Sequence, residues 1–227
     1  MSLDPLKFTS TGQVRPYYGN TIIAPYDVPE AGEEGQAVIQ AAQKVQERFK
    51  ASPLASKLAF LPPSSFHTTI YTLLRVRDRG TARWPKWLSD RYQHFAEVDQ
   101  AVYDRIADIP VPCDVQMRCE QVTAHKLLLS PATPEDEAKL RGYRDQVAAR
   151  MEIVEEGHNS YVFHISLSYH LVDLDAEDQR LEQGIAELAL RDFQAAIPIF
   201  SLPVPRFVIF NDMLSYHEDL KARGDLF

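Results

Sequence analysis

The stretches Phe66-His67-Thr68-Thr69-Ile70 and Phe163-His164-Ile165-Ser166-Leu167 decide the interpretation of this sequence. Each holds a histidine, a hydroxyl residue two positions later, and an apolar residue on either side. Alternate residues of a strand point to the same face and lie ~6.5–7 Å apart, so each stretch presents an imidazole and a hydroxyl side by side. Both stretches are therefore predicted to be half-buried strands with one polar, solvent-facing side.

Strand and helix patterns outside these stretches follow the same order in both halves of the chain. Strand segments are predicted at residues 21–24, 66–74, 115–122, 124–130, 160–171 and 204–210. Apolar spacing predicts helices between them, including a long one over 88–109 and others that begin at Thr133 and Asp175. The order β-α-β-α-β thus occurs twice, with the histidine stretches 163 − 66 = 97 residues apart. This predicts one compact α+β domain over residues 1–227, made of two pseudo-two-fold lobes at roughly 20–122 and 123–227.

The composition of the 227 residues excludes several classes of protein. Apolar residues make up 45% and charged residues 25%, which is typical of a folded globular chain. The 24 basic and 32 acidic residues give a net charge of −8, which opposes binding to long DNA or RNA. The two cysteines, Cys113 and Cys119, are too few for a disulfide scaffold and are predicted to be reduced thiols. Neither a secretory signal nor a membrane-length apolar run is visible, so we expect a cytoplasmic protein that does not bind membranes, with a monomer as its simplest assembly.

Two imidazoles brought together from the two lobes suit the cleavage of a phosphodiester. His67 and His164 would lie on opposite sides of a bound group, where one takes a proton from water or a ribose hydroxyl and the other protonates the leaving oxygen. Histidine serves both roles because its unperturbed pKa is ~6.5. Thr69 and Ser166 would bind the non-bridging phosphate oxygens and stabilise the charge that grows in the transition state. The scheme requires no metal and no cofactor, and it leaves open which histidine is the acid.

The paired stretches resemble the motifs of the two-histidine (2H) phosphoesterase superfamily, which includes the 2',3'-cyclic phosphodiesterase and 2',5' RNA ligase-like proteins. That family has an apolar-flanked H-x-[ST] twice, and His67 with Thr69 matches the first copy while His164 with Ser166 matches the second. Thr68 departs from the pattern, since an apolar residue is usual there. The resemblance implies two mainly antiparallel sheets facing a central, water-accessible cleft. It also implies metal-independent hydrolysis of a cyclic or linear nucleotide or RNA-terminal phosphodiester, here in an outlying branch of the family.

Several residues near the motifs are assigned to the cleft or away from it. Tyr71 and Ser168 continue the polar faces of the two strands and are predicted to bind substrate. Tyr169 is predicted to pack in the core and His170 to lie on the surface. His125, on a neighbouring predicted strand, is interpreted as a residue without a catalytic role.

A basic segment with tryptophans follows the first motif. It contains Arg75, Arg77, Arg79, Arg83, Trp84, Lys86 and Trp87. Basic residues interleaved with aromatic ones can bind a nucleotide, but a solvated loop that leads into a helix is the favoured interpretation. Tyr17, Tyr18 and Asn20, just ahead of the first strand, form a second candidate edge over the substrate.

Two other functions stay open on the sequence alone. A module with the same cleft could bind a nucleotide or phosphate ligand without turnover. A metal hydrolase could use His125, His164 and nearby carboxylates. The sequence has no G-x-S-x-G elbow, Walker A loop, G-x-G-x-x-G turn, H-E-x-x-H or zinc-spaced Cys/His quartet, which argues against esterases, NTPases, dehydrogenases and zinc enzymes of those kinds.

Overall fold

The structure, a computed structural model, describes residues 5–88, 92 and 94–223. Within them the chain forms nine strands: β1 (Gly19–Pro25), β2 (Leu58–Phe60), β3 (His67–Arg75), β4 (Val115–Val122), β5 (Lys126–Pro131), β6 (Phe163–Ser166), β7 (Ser168–His170), β8 (Phe200–Leu202) and β9 (Arg206–Phe210). The same residues form four α-helices: α1 (Gly32–Lys50), α2 (Phe95–Ile106), α3 (Pro134–Met151) and α4 (Ala176–Ala196).

Helices α3 and α4 begin at side chains that satisfy their first backbone N–H groups. The Thr133 hydroxyl accepts a hydrogen bond from the Asp136 amide (3.1 Å) ahead of α3. The Asp175 carboxylate accepts hydrogen bonds from the amides of Glu177 and Asp178, both at 2.9 Å, ahead of α4. Such caps replace the partners that the first turn of a helix lacks. Both helix starts agree with the sequence prediction.

Helix α2 is shorter than the helix predicted over 88–109. It begins at Phe95, and the preceding His94 donates its backbone N–H to the Glu97 carboxylate (3.3 Å). Leu88 instead closes a turn, with its amide donating to the Pro85 carbonyl (3.1 Å). Residues 89–91 and 93 of the predicted helix lie outside the described residues. Apolar spacing overextended the helix because Leu88, 1% exposed, is buried from a loop.

Seven strands form one curled antiparallel sheet in the order β8-β4-β5-β6-β3-β1-β9. At its centre β3 and β6 meet through the pair Thr68↔Ile165. Outward from this junction each half has a strand with a histidine motif, then a strand that leads into a helix, then an outer strand. The half that contains β6 has one further strand, β8, beyond β4. Strands β2 and β7 form a separate antiparallel pair. The predicted α+β fold of two pseudo-symmetric lobes is thereby confirmed, and the strands of the lobes are joined at the β3–β6 junction.

The outer strands are exchanged between the halves relative to the predicted division at residue 122. Strand β4, within the first predicted lobe, pairs with β5 and β8 of the other half. Strand β9, near the end of the second predicted lobe, pairs with β1. The order of strands along a chain does not reveal which neighbours they pair with, so the sequence offered no signal for this exchange.

The strand predicted over 160–171 is in fact two strands in different sheets. Strand β6 ends at Ser166, and the Leu167 amide then donates to the His125 carbonyl (2.8 Å). The Leu167 carbonyl accepts from the Leu61 amide (2.9 Å) and from the Gln46 side chain (2.8 Å). Strand β7 pairs with β2 immediately afterwards. This change of partner at Leu167 ends the alternation of faces that β6 begins.

A buried charged cluster fastens the segment after β9 to the sheet. Arg223, 1% exposed, pairs with the fully buried Asp99 of α2 and donates to the Gly19 carbonyl (2.7 Å). Asn20 donates to Asp99 (2.8 Å) and accepts from the Leu74 amide (2.9 Å). Removing one partner of such a pair costs roughly 3–5 kcal/mol, because the other charge is left buried and unpaired. Asn20 is therefore a structural residue and not an edge over the substrate.

The sequence predicts reduced cysteines and contains no membrane-length apolar run. Cys113 is exposed and Cys119 is buried, and both are unpaired thiols. Burial raises the pKa of the Cys119 thiol to about 12, so it is an unreactive core residue. In the part of the chain that the structure describes, every helix is too short or too polar to cross a bilayer.

Candidate active site

The junction of β3 and β6 brings the two histidine–hydroxyl motifs together at the centre of the sheet. The middle residues of the motifs, Thr68 and Ile165, lie opposite each other. Because the strands are antiparallel, each histidine falls on the side of the hydroxyl residue of the other motif. Diagonal positions in such a pair lie ~7–8 Å apart, which leaves room for one phosphate group between the two imidazoles.

A single cleft of about 450 Å³ is lined by His67, Thr69, His164 and Ser166 together. This volume lies within the range of small-molecule sites. A larger depression of about 680 Å³ extends from Asp27 to Gln40, but no histidine lines it. The side chains able to transfer protons, and not the size of the cavity, therefore identify the central cleft as the candidate active site.

Both cleft histidines are held in the same tautomer by the backbone. His67 Nδ1 lies 2.7 Å from the Ser65 carbonyl oxygen, and His164 Nδ1 lies 3.1 Å from the Val162 carbonyl oxygen. A carbonyl can only accept, so each Nδ1 carries the proton and donates it. The Nε2 atom of each ring is then the atom left to exchange a proton in the cleft. The two motifs thus share a carbonyl support located two residues before the histidine.

Burial lowers the pKa of both cleft histidines to about 4. For His67 the Ser65 carbonyl opposes this shift, and a positive charge on His164 adds to it. For His164 the positive charge of Lys126 is the second cause, and Lys7 adds a smaller effect. Both rings are therefore neutral at pH 7 in the free protein, and protonation of one disfavours protonation of the other.

The hydroxyls of Thr69 and Ser166 differ from those of their neighbours. Among the described residues, no side chain or backbone group takes either hydroxyl as a hydrogen-bond partner. The Thr68 hydroxyl, by contrast, is paired with the Tyr26 hydroxyl at 2.9 Å, and the Ser168 hydroxyl donates to the Ala124 carbonyl at 2.8 Å. The cleft therefore presents the hydroxyls of Thr69 and Ser166 to a ligand. The contact with Tyr26 explains why a polar residue is accommodated at position 68.

Tyr71 does not line the cleft, contrary to the sequence prediction. Its ring is fully buried, and its hydroxyl donates to the Ile153 carbonyl (2.5 Å). The register of β1 against β3 runs from Ile23↔Thr69 to Ile22↔Tyr71, so Ile70 is an extra residue that forms a β-bulge. A bulge shifts the alternation of faces by one residue.

A second irregularity of the same strand pair lies further along β3. The register passes from Thr21↔Thr72 to Gly19↔Arg75, which again adds one residue to β3. As a result Thr72 and Arg75 line the cleft together with Thr69, at every third position instead of every second. The first bulge brings Thr72 to the cleft, which strict alternation from Thr69 does not select. The second bulge restores the odd-numbered face, so Arg75 lines the cleft as alternation from His67 and Thr69 also predicts.

Ser168 also lies outside the cleft. It is 2% exposed, and its hydroxyl is used by the Ala124 carbonyl. The prediction failed because β6 ends at Ser166, so Ser168 belongs to a different strand with different partners. Tyr169, predicted to pack in the core, is half-buried and lines the cleft wall instead.

Positive side chains border the cleft. Arg75 and Arg83, from the basic segment, both line it, as does Lys7. The Arg83 guanidinium donates to the carbonyls of Thr72 and Leu73, each at 2.8 Å, and folds this segment back onto β3. The segment is therefore a wall of the cleft and not only a solvated loop.

The acidic residues Glu155 and Glu156 also line the cleft, and aromatic rings form a further wall. They are Tyr17, Tyr161, Tyr169, Phe210 and Tyr216. Tyr216 covers His67 edge-on, with ring centroids 4.3 Å apart, and Tyr161 donates its hydroxyl to the Thr69 carbonyl (3.2 Å). Tyr17 was a candidate in the sequence. Tyr161 and Tyr169 flank the second motif in sequence, whereas Phe210 and Tyr216 come from a segment distant from both motifs.

Known proteins similar to this chain support the interpretation at the level of family. A family model named 2H-phosphodiest, described as a domain of unknown function (DUF1868), matches residues 7–128. This span is 128 − 7 + 1 = 122 of the 227 residues, and it includes the first histidine motif but not the second. No match is found among curated proteins.

A solved structure is similar over most of the chain. It is the crystal structure of a conserved protein of unknown function, ATU0111, from Agrobacterium tumefaciens strain C58. The two share 28% sequence identity over 93% of this chain and 88% of that one, with a TM-score of 0.81. Taken with the match to the family model, these findings show that the chain belongs to the 2H-phosphodiesterase family, in the group described as a domain of unknown function (DUF1868).

Proposed function

We propose that this protein is a phosphodiesterase that hydrolyses a cyclic or linear nucleotide or an RNA-terminal phosphodiester, with His67 and His164 as its acid–base pair. The observation that carries the proposal is the matched support of the two imidazoles, each with Nδ1 bound to a carbonyl two residues earlier and both in one cleft. Membership of the 2H-phosphodiesterase family supports the same chemistry.

The reaction needs one proton to be taken and one to be given. Nε2 of the basic imidazole takes a proton from the attacking water as its oxygen bonds to phosphorus. Nε2–H of the other imidazole protonates the ribose oxygen as the phosphorus–oxygen bond breaks. The hydroxyls of Thr69 and Ser166 donate to the non-bridging oxygens, which gain negative charge in the transition state. Transfer of the proton between the rings through solvent returns the site to its starting state.

The anionic substrate supplies the protonation state that this mechanism requires. With a pKa of about 4, neither ring holds a proton at pH 7 in the free protein. A phosphodiester anion between the rings favours the charged form of an imidazole, so binding raises the pKa and allows one ring to act as acid. One of the two imidazoles therefore becomes protonated mainly when substrate is bound.

The cleft walls favour a small nucleotide over other phosphodiesters. The aromatic wall offers faces on which a base can stack. The positive wall of Lys7, Arg75 and Arg83 suits phosphate, although Arg75 and Arg83 are already paired with Asp78 (2.9 and 3.4 Å). The net charge of −8 disfavours a long nucleic acid. We accordingly propose a small soluble substrate, a cytoplasmic monomer, and a reacting centre that uses no metal or other cofactor.

The proposal is tested by assaying 2',3'-cyclic mononucleotides and short linear dinucleotides with the purified protein. His67→Ala and His164→Ala should each lower kcat by about 10²–10⁴, because each removes one proton transfer. The double variant should be little worse than the poorer single variant, because the two rings act as a unit. His94→Gln, which changes an exposed histidine ahead of α2, serves as the matched control and should retain full activity.

Two outcomes would overturn the proposal. Wild-type activity in both single variants would remove the acid–base assignment. Tight binding of a nucleoside monophosphate by calorimetry, with no product formed from any tested phosphodiester, would favour the non-catalytic ligand-binding module.

A further inference from the structure

A second group of ligating side chains lies outside the central cleft, on the second half of the molecule. His125 lies between β4 and β5, His170 is the last residue of β7, and Glu182 belongs to α4. One nitrogen or oxygen atom of each lies within 4.8 Å of the other two. All three are half-buried, and none lines the cleft that contains His67 and His164.

The two imidazoles of this group are placed like two ligands of one metal ion. His125 Nδ1 lies 3.3 Å from His170 Nε2, and the rings are nearly perpendicular at 83°. Zinc–nitrogen bonds of ~2.0–2.1 Å at a tetrahedral angle separate two ligand nitrogens by ~3.3–3.4 Å. A hydrogen bond between the rings would ordinarily be shorter, at ~2.7–3.2 Å.

The carboxylate and the turn around His125 are held in place by backbone contacts. One oxygen of Glu182 accepts the Ala124 amide hydrogen at 2.8 Å, which keeps the carboxylate beside the turn. The Thr123 hydroxyl donates to the Lys126 carbonyl (3.2 Å) and accepts the Lys126 amide hydrogen (3.1 Å), which holds the turn around His125. Its oxygen lies 3.1 Å from His125 Nδ1, a contact that a metal ion on Nδ1 would replace. The backbone contact of Glu182 is of the kind that orients metal ligands in many sites.

We propose that His125, His170 and Glu182 bind one divalent zinc-class cation, with water in the fourth position. Two imidazoles and one carboxylate suit zinc, whereas calcium and magnesium prefer all-oxygen sites. The ion would join the β4–β5 turn, β7 and α4, which are separated along the chain. This role is structural and separate from the proposed hydrolysis.

Such an ion would also brace the end of β6. The His125 carbonyl accepts from the amides of Leu167 (2.8 Å) and Ser168 (3.3 Å), directly after Ser166. Fixing the His125 side chain therefore fixes the turn on which the last residue of the second motif depends.

The test is a calorimetric titration of EDTA-treated protein with zinc chloride, with the melting temperature followed in parallel. We expect one equivalent to bind and the melting temperature to rise with zinc concentration, since the ion binds the folded state. Magnesium chloride should do neither. His170→Ala and Glu182→Gln should weaken zinc binding by more than about 100-fold, because even changes to supporting residues cost ~10–100-fold.

Matched variants separate this proposal from adventitious binding and from the proposed hydrolysis. His217→Gln removes a histidine elsewhere and should leave the zinc affinity unchanged. The double variant His67→Ala/His164→Ala should bind zinc as the wild type does, so the titration stands whether or not the cleft is catalytic. Circular dichroism of the metal-free variants verifies folding. The proposal is overturned if no equivalent binds, or if His170→Ala and Glu182→Gln bind zinc as tightly as the wild type.

Discussion

The half-site on β3, with His67 and Thr69, and the half-site on β6, with His164 and Ser166, share their backbone geometry but not their surroundings. In both, Nδ1 is held by a carbonyl two residues earlier. His67 is 8% exposed and lies against Tyr216. His164 is half-buried, and after burial its main neighbour effect is the positive charge of Lys126.

This difference shows how a duplicated motif can serve two chemical roles. Repetition of the strand and its carbonyl supplies two rings in the same tautomer. The surroundings then differ in what lowers the pKa further: a neighbouring imidazole for His67, and a lysine for His164. An entering anion offsets both positive neighbours, so either ring can gain a proton when substrate binds.

The strongest test of this comparison is the pH dependence of kcat/KM for the best substrate. The competent free protein carries one proton on two rings whose pKa values are about 4. That form becomes about tenfold scarcer for each pH unit above 5, so kcat/KM should rise about 100-fold between pH 7 and pH 5. The profile of kcat should peak at higher pH, because it reports the substrate complex. A flat kcat/KM between pH 5 and pH 7 would contradict the assignment.

Unfolding at low pH has to be measured alongside these rates. Both rings have a folded-state pKa below the ordinary 6.5, so the unfolded chain binds protons first as the pH falls. Their contribution to stability is complete above pH 6.5 and is lost as the pH falls through about 4. Urea midpoints at each pH show where the rates still report the folded protein.

Paired hydroxyl variants give the next largest effect. Thr69→Val and Ser166→Ala should lower kcat by about 10–100-fold with little change in stability, because each removes a donor to the phosphate. Thr68→Val and Ser168→Ala are the neighbouring controls. They should cost about 1 kcal/mol of folding free energy and retain activity, since these hydroxyls bond to Tyr26 and to the Ala124 carbonyl. Equal loss of activity in both pairs would place the phosphate elsewhere.

The smallest expected effect is a change in the pKa of one cleft histidine with little change in the pKa of the other. Tyr216→Ala exposes His67 and should raise its pKa by up to about one unit, with a smaller change at His164. Lys126→Met removes a positive charge beside His164 and should raise the pKa of that ring, leaving His67 nearly unchanged. Titration of the histidine ring protons by NMR measures both values. Parallel shifts of both rings in each variant would show that the surroundings are shared.

Local patterns in the sequence predicted the central strands and the four motif residues correctly in space. The two-residue period of a strand was enough to predict the shared face of His67 with Thr69 and of His164 with Ser166. Helix capping was enough to predict the starts at Thr133 and Asp175. The prediction for Tyr71 failed because the bulge at Ile70 arises from the pairing of β3 with β1, and nothing in the β3 sequence marks it. The prediction for Ser168 failed because the backbone of Leu167 changes its hydrogen-bond partners. Those partners, His125 and Leu61, come from other parts of the chain.

Three residues lie where the favoured interpretation of the sequence did not place them: Arg83, which it assigned to a solvated loop, Tyr216, which it did not single out, and His170, which it placed on the surface. Arg83 reaches the cleft only because it binds two carbonyls of β3, and Tyr216 reaches it only because the segment after β9 folds back over His67. His170 was expected at the surface, yet it is half-buried beside His125. In each case the position is set by contacts between segments that are far apart in sequence.

The pair of Arg223 and Asp99 links the surroundings of His67 to a residue that lies outside the cleft. Trimming the chain at or before Arg223 would strand an anion in a dry interior, with the Asn20 amide as its one remaining partner in the described structure. The segment that carries Tyr216 would lose one of its anchors and keep the backbone pair of His217 with Ile209, so the cover over His67 would be loosened. Removal of Arg223 would therefore destabilise the sheet and, by exposing His67, shift the pKa of that ring toward its ordinary value.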